Sequence, residues 1–168
     1  LELIGARVDC ESVHIESVKS LKDKKNGTRV CLPHNVEVEK SKGKLWFYRK
    51  EEKDMSETPF VGESFYVGGY EIKVGDTGRL KYDPDKIPDG AVVRTRREGD
   101  RFKRFRGGEK SFGDYLTDIG CPPHKRDNIP VVAFGSEILI AAGIEISDRV
   151  AVDESTKTIK RIDTKRRV

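Results

Sequence analysis

Cysteine is scarce in this chain. Cys10, Cys31 and Cys121 are an odd and widely spaced set among 168 residues. They give no disulfide framework and fit a reducing, cytoplasmic setting. Long apolar runs are absent too. None approaches the roughly 20 residues that a membrane-spanning helix needs, and no secretory leader pattern is visible, so no membrane partner is expected. Hydrophobic residues make up 35% and charged residues 37%. That balance is polar, but it leaves enough apolar side chains for a packed core.

Signatures of self-contained chemistry are missing as well. There is no Gly-x-Ser-x-Gly elbow and no His-Glu-x-x-His pair. The Gly-rich turns at Gly68-Gly69 and Gly75–Gly78 lack the Gly-Lys-Ser/Thr ending of a phosphate-binding loop. Nor is there a Ser-Gly-Gly-x-Asp-Ser loop of the kind that grips pyrophosphate in adenylating enzymes. Each cysteine is followed closely by a histidine, at Cys10/His14, Cys31/His34 and Cys121/His124. These are zinc's preferred ligand types, yet the pairs sit on three distant segments with no Cys-x2-Cys anchor, and no metal site is expected. No catalytic residue and no cofactor are assigned to these residues.

What is present is a basic turn. Residues 94–106 hold seven arginines or lysines, against only Glu98 and Asp100. Guanidinium groups are planar forks of donors that match phosphate, and a Gly99-Asp100 turn would gather them. The charge is also lopsided. Residues 1–90 carry 16 basic and 17 acidic side chains, whereas residues 91–168 carry 17 and 12. A positive excess confined to one half suits a polyanionic partner.

The patterning predicts an α+β chain. Leu1–Gly5 reads as the last turn of a helix, as if the chain opened inside an element. A helix capped by Asp9 or Ser12 should run to about Lys24, with Ile15, Val18 and Leu21 on one face. A three-stranded meander follows, at Thr28–Leu32, Val36–Glu39 and Lys44–Tyr48. Residues 1–49 form one domain in this reading, 50–58 a charged linker, and 59–168 a second, β-rich domain of short antiparallel strands with a few short helices. Its expected strands are Ser64–Val67, Tyr70–Val74, Arg79–Tyr82, Val92–Arg96, Val131–Phe134, Glu137–Ala142, Val150–Val152 and Thr158–Ile162. Phe112, Tyr115, Leu116 and Ile119 fall at helical spacing, which places a helix over Ser111–Ile119. Pro123–Asn128 reads as a helical turn, and Lys165-Arg166-Arg167 as a basic tail.

Arg94-Thr95-Arg96-Arg97-x-Gly-Asp-Arg-Phe resembles the signature that opens the C-terminal domain of the tRNA(Ile)-lysidine synthetase family. Further landmarks agree in order: Asp83–Pro88, Asp114–Asp118, Pro122 with Arg126-Asp127-x-x-Pro130, and Gly143–Ser147. Upstream, His14-Ile15-Glu16 and Asn26–Pro33 resemble the end of that family's middle domain. The resemblance implies an enzyme that uses ATP, with Mg, to activate an anticodon cytidine of isoleucine tRNA (CAU anticodon) and then joins lysine to it. It assigns those steps to an N-terminal domain that lies outside these residues. Its C-terminal region is implied to grip the tRNA at the acceptor stem.

On that reading Arg94, Arg96, Arg97, Arg101, Lys103, Arg104, Arg106, Lys110 and Arg126 are the expected tRNA contacts. Gly99 and Asp100 shape the turn. Such contacts read A-form RNA through its backbone more than through its bases. The chain departs from the family at Arg104-Phe105-Arg106-Gly107-Gly108, where relatives continue Pro-Leu-Gly-Met-x-Gly. It also has Pro123 and Glu145 where relatives carry arginine. The competing expectation is a protein-interaction scaffold whose charges serve solubility. Exposed strand edges would also offer a route to a homodimer.

Overall fold

The computed structural model describes residues 11–167. The Leu1–Gly5 turn, the Asp9 cap and Cys10 lie outside them. Contacts divide the chain into two compact units, one ending at Glu52 and taking in Pro122–His124, the other running from Lys53 to Cys121 and from Lys125 onward. No described helix is long and apolar enough to cross a membrane.

In the first unit, helix α1 (Ser12–Ser20) leads into a 3-10 turn at Leu21–Asp23 and then strands β1 (Arg29–Leu32), β2 (Val36–Ser41) and β3 (Lys44–Arg49). The strands pair as an antiparallel meander. Lys42 and Gly43, at φ 50° and 73°, form the two-residue connection whose positive φ angles match strand twist. The helix is shorter than its sequence pattern suggests. Glu11 is its N-cap, and the His14 ring Nδ1 accepts a hydrogen bond from the Glu11 N–H at 3.0 Å. Ile15 is exposed, whereas Leu21, beyond the helix end, is fully buried with Leu32, Val36 and Val38. So small an apolar set has room for one anchor from this segment, and the 3-10 turn delivers it.

The second unit is built from three layers. Strands β4 (Glu57–Pro59), β8 (Val92–Thr95), β9 (Arg101–Lys103), β10 (Glu109–Ser111), β11 (Pro130–Phe134), β12 (Glu137–Ala141) and β13 (Glu145–Ile146) form one sheet. Its order is β10-β9-β12-β11-β8-β4, with β13 also paired to β12, and only β9–β12 is parallel. Strands β5 (Ser64–Val67), β6 (Tyr70–Gly75), β7 (Leu80–Tyr82) and β14 (Lys160–Arg166) form an antiparallel four-stranded sheet. Phe65, Val67, Ile72, Tyr82 and Ile162 of this sheet pack against Val93, Val132, Leu139 and Ile140 of the larger one. Helix α2 (Phe112–Asp118) covers the other side, where Phe112, Tyr115 and Leu116 meet Phe102, Val131 and Ile138. A short helical turn, α3, spans Pro123–Arg126.

The register of β11 against β12 slips after Val132, so Ala133 faces Ile138 and Leu139 is the extra residue. This bulge turns Leu139 and Ile140 into the same core instead of opposite faces.

The α+β class read from the sequence is the one found, with local differences. Glu57-Thr58, expected in the linker, belong to β4. Val150–Val152 is not a strand. Ser147 caps a 3-10 turn at Asp148–Val150 that tucks Val150 into the core. Strand β14 starts two residues late and runs on through Lys165-Arg166, because its backbone finds β6 as a partner along that length.

Tyr82 makes the core sensitive to alkali. Burial pushes its phenol up from 10.0 to about 12, so the core holds the neutral form. A folded-state value above the unfolded one means that stability is intact below about pH 10. It is then lost as pH climbs towards 12, by roughly 2–3 kcal/mol for two pH units. Urea midpoints followed from pH 9 to 12 should fall less steeply in Tyr82→Phe than in the unsubstituted chain. Equal slopes would show that other groups set the alkaline limit.

Candidate nucleic-acid interface

Residues 96–100 of the basic turn join β8 to β9, which run in the same direction with β11 and β12 between them. Gly99 sits at φ +85°, a conformation that costs glycine little and other residues more. The Arg101 N–H bonds Ser136 O at 2.9 Å, and the Phe112 N–H bonds Asp100 O at 2.8 Å. The turn is thereby pinned between the β11–β12 hairpin and α2.

Arg94 lies inside this turn. It is 1% exposed. Its Nη1 donates to Asp100 Oδ2 at 2.9 Å and to Thr95 O at 2.9 Å, while its Nη2 donates to Asp100 Oδ1 at 2.8 Å and to Gly135 O at 2.9 Å. All four Nη hydrogens are used. Asp100, also buried, accepts a further bond from the Arg97 N–H at 2.7 Å. Arg94 therefore cannot present its guanidinium to a polyanion. It is a structural ion pair, which corrects the expectation that it contacts tRNA.

Arg96 and Arg126 are largely withdrawn as well. Arg96 Nε donates to Arg126 O at 2.9 Å and its Nη2 to Asp127 Oδ1 at 2.6 Å, leaving the side chain 16% exposed. Arg126 is buried, and its Nε bonds Cys121 O at 2.9 Å. Together they bind the segment after α2 to the end of β8. Donors spent on carbonyl groups in this way are poorly placed to meet an incoming phosphate.

The remaining cations reach the surface, and most meet carboxylates there. Arg97 pairs with Glu57 at 2.9 Å, Arg101 with Glu109 at 2.5 Å, Lys103 with Asp148 at 3.0 Å, and Lys110 with Asp118. Arg101, followed by desolvation and Arg149, sets the environment of Glu109, whose carboxyl is held below its usual range. Lys103 does the same for Asp148, helped by the Arg106 N–H. Such exposed pairs are worth little and are screened by salt, so their cations can exchange a carboxylate for a phosphate.

Arg104 and Arg106 differ. Both are exposed, and the described residues show no ion pair for either. Arg104 lies over the Tyr115 ring at 5.8 Å, and Arg106 over Phe105 at 5.3 Å. The loop that carries them is shaped by bonds from Gly107 N to Arg104 O (3.0 Å) and from Arg104 N to Gly108 O (3.3 Å). Arg106 itself sits at φ 52°. Two unneutralised guanidiniums on aromatic supports make this loop the most phosphate-ready part of the turn. The described residues contain no cluster of side chains that could hold a metal ion.

Comparison with known proteins finds a family model that matches part of the chain. Residues 91–163 match the model for the TilS substrate C-terminal domain. This part of the chain is similar to TilS C-terminal domains. Among curated relatives, the tRNA(Ile)-lysidine synthase of Clostridium tetani is 26% identical over 95% of this chain and 38% of its own length. That of Caldanaerobacter subterraneus is 29% identical over 89% and 36%. The chain thus spans little more than a third of these relatives. The enzyme of that name from Persephonella marina reaches 44% identity over a shorter stretch, 40% of this chain and 15% of its own length. A crystal structure of a TilS C-terminal domain superposes with a TM-score of 0.54 at 22% identity, covering 66% of this chain and 96% of the other. That likeness establishes the fold.

Sequence reasoning missed the counter-charges of this domain. Glu57, Asp127 and Asp148 lie 40, 31 and 45 residues from the cations they meet. Arg149, which pairs with Glu109 and Glu137, was also missed. Only tertiary structure brings these groups to the basic turn, and nothing in the local pattern announces them.

Proposed function

We propose that this chain is the tRNA-gripping part of an ATP-dependent ligase that converts an anticodon cytidine of isoleucine tRNA to lysidine. The residues described here hold RNA. The chemistry, with its ATP, Mg and lysine, belongs to the rest of that enzyme, acting in the cytoplasm where tRNA is modified. The family match of residues 91–163 supports the parent activity. The observation that carries the RNA role is the exposed pair Arg104 and Arg106, to which Arg97, Arg101, Lys103 and Lys110 add charge held only by surface pairs. A turn pinned by backbone hydrogen bonds and bearing exposed guanidiniums fits the phosphates of an A-form stem and leaves base identity unread.

The test is fluorescence anisotropy of labelled tRNA against salt. Affinity should fall steeply, with a log–log slope of about 0.7–0.9 per phosphate contacted. Arg104→Glu with Arg106→Glu should lower affinity at least about tenfold, or 1.4 kcal/mol, without changing the far-UV spectrum. Undiminished, salt-insensitive binding in that variant would point to a protein-interaction role instead.

A further inference from the structure

A second cationic surface lies on the other sheet. In β5, β6, β7 and β14 alternate residues point inward, and Phe65, Val67, Ile72, Tyr82 and Ile162 are buried in the core. Their neighbours face outward by the same alternation. The pairings set Lys81 beside Arg161, Lys73 beside Asp163 and Lys165 beside Glu71 on that outer face. Arg167 continues it, since its N–H bonds Gly69 O at 2.9 Å. Five cations thus share a flat face with two carboxylates, Glu71 and Asp163.

The carboxylates are occupied locally. Glu71 is met by Lys73 at 3.5 Å and by the Tyr66 hydroxyl at 3.3 Å. Asp163 accepts from the Thr164 N–H at 2.9 Å. Lys165 and Arg167 are exposed, with no ion pair among the described residues. The Arg167 guanidinium lies 4.6 Å from the centre of the exposed Tyr66 ring, which holds it flat without spending its donors. A shallow depression between β6 and β14 is lined by Lys73, Lys165 and their acidic neighbours.

We propose that the outer face of this four-stranded sheet is a second RNA-backbone contact, in which Lys73, Lys81, Lys165 and Arg167 take phosphates and Tyr66 positions Arg167. The inference rests on the reading that the chain binds RNA. A face with five cations against two carboxylates, on a domain with a separate basic loop, is complementary to a polyanion long enough to touch both. Two such anchors multiply through effective concentration, so losing one weakens the whole grip.

The experiment uses tRNA as the probe and the intact chain. Lys73→Gln, Lys165→Gln and Arg167→Gln combined should reduce the log–log salt slope by about two and lower affinity at least about tenfold. A control with Lys22, Lys24 and Lys25 changed to Gln removes equal charge from the first unit and should change the slope by less than one. If the unsubstituted chain binds tRNA but the sheet variant keeps its slope and affinity, the sheet proposal alone fails. An equal loss in the control also overturns it, because net charge would then suffice. If the unsubstituted chain does not bind tRNA, both the RNA reading and this proposal fall.

Discussion

Asp100→Ala should lower the unfolding free energy of the second unit by about 3–5 kcal/mol. The substitution strands a charge. Arg94 keeps Thr95 O and Gly135 O but loses the carboxylate that balances it at 1% exposure. The Arg97 N–H loses its acceptor in the same step. Removing one partner of a buried pair costs far more than the pair contributes net, since the remaining ion has no water to return to. The corresponding test of that asymmetry is Arg94→Met with Asp100→Leu, which removes both charges and should recover much of the loss. Urea denaturation of the three proteins decides it. A cost below about 1 kcal/mol for Asp100→Ala would mean that the guanidinium finds solvent, and that the turn is looser than its hydrogen bonds indicate.

Gly68→Ala is the second large effect, expected at roughly 2–5 kcal/mol. Gly68 and Gly69 form the tight turn between β5 and β6, at φ +59° and +76°. A side chain in that left-handed region costs about 1–2 kcal/mol at either position. At Gly68 a Cβ would also stand 2.5 Å from Asn128 O and 3.0 Å from Thr95 Cγ2. Backbone cannot rotate aside as a side-chain tip can, so overpacking adds about 1–3 kcal/mol. Gly69→Ala meets nothing within 4 Å and isolates the dihedral cost. Thermal unfolding of the two variants should place Gly68→Ala well below Gly69→Ala, and coincident midpoints would remove the clash from the account.

How much of this was legible depends on what each pattern needed. The hairpin at Ser64–Val67 and Tyr70–Gly75 alternates visibly and turns on two glycines, so its register follows from local rules. Helix α2 could be read from Phe112, Tyr115 and Leu116 alone. Strands β9 and β10 could not. They are three residues each, with Phe102 the one large apolar residue between them, and they exist because β12 and α2 hold them in place. The basic turn was conspicuous as composition, but charge in sequence is not charge in space. Arg94, Arg96 and Arg126 are consumed by contacts within the fold. Arg104 and Arg106, in the loop that departs most from the family's usual sequence, keep their charge available. Lys165-Arg166-Arg167 read as a basic tail, and Lys165 and Arg166 become the end of β14 once β6 supplies a partner.

The parallel pairing of β9 with β12 has a consequence for the order in which this domain matures. Arg101 bonds Ser136, Arg94 bonds Gly135, and both acceptors lie in the β11–β12 turn more than 30 residues downstream. During synthesis the arginine-rich segment is therefore exposed before its scaffold exists. Its buried guanidinium stays in water until the later hairpin closes over it. Such long loop closure is slow relative to local hairpins. Until it happens the cations of the segment lack the tertiary contacts that hold them in the folded domain. The turn takes its fixed shape only when that hairpin closes and Arg94 is withdrawn.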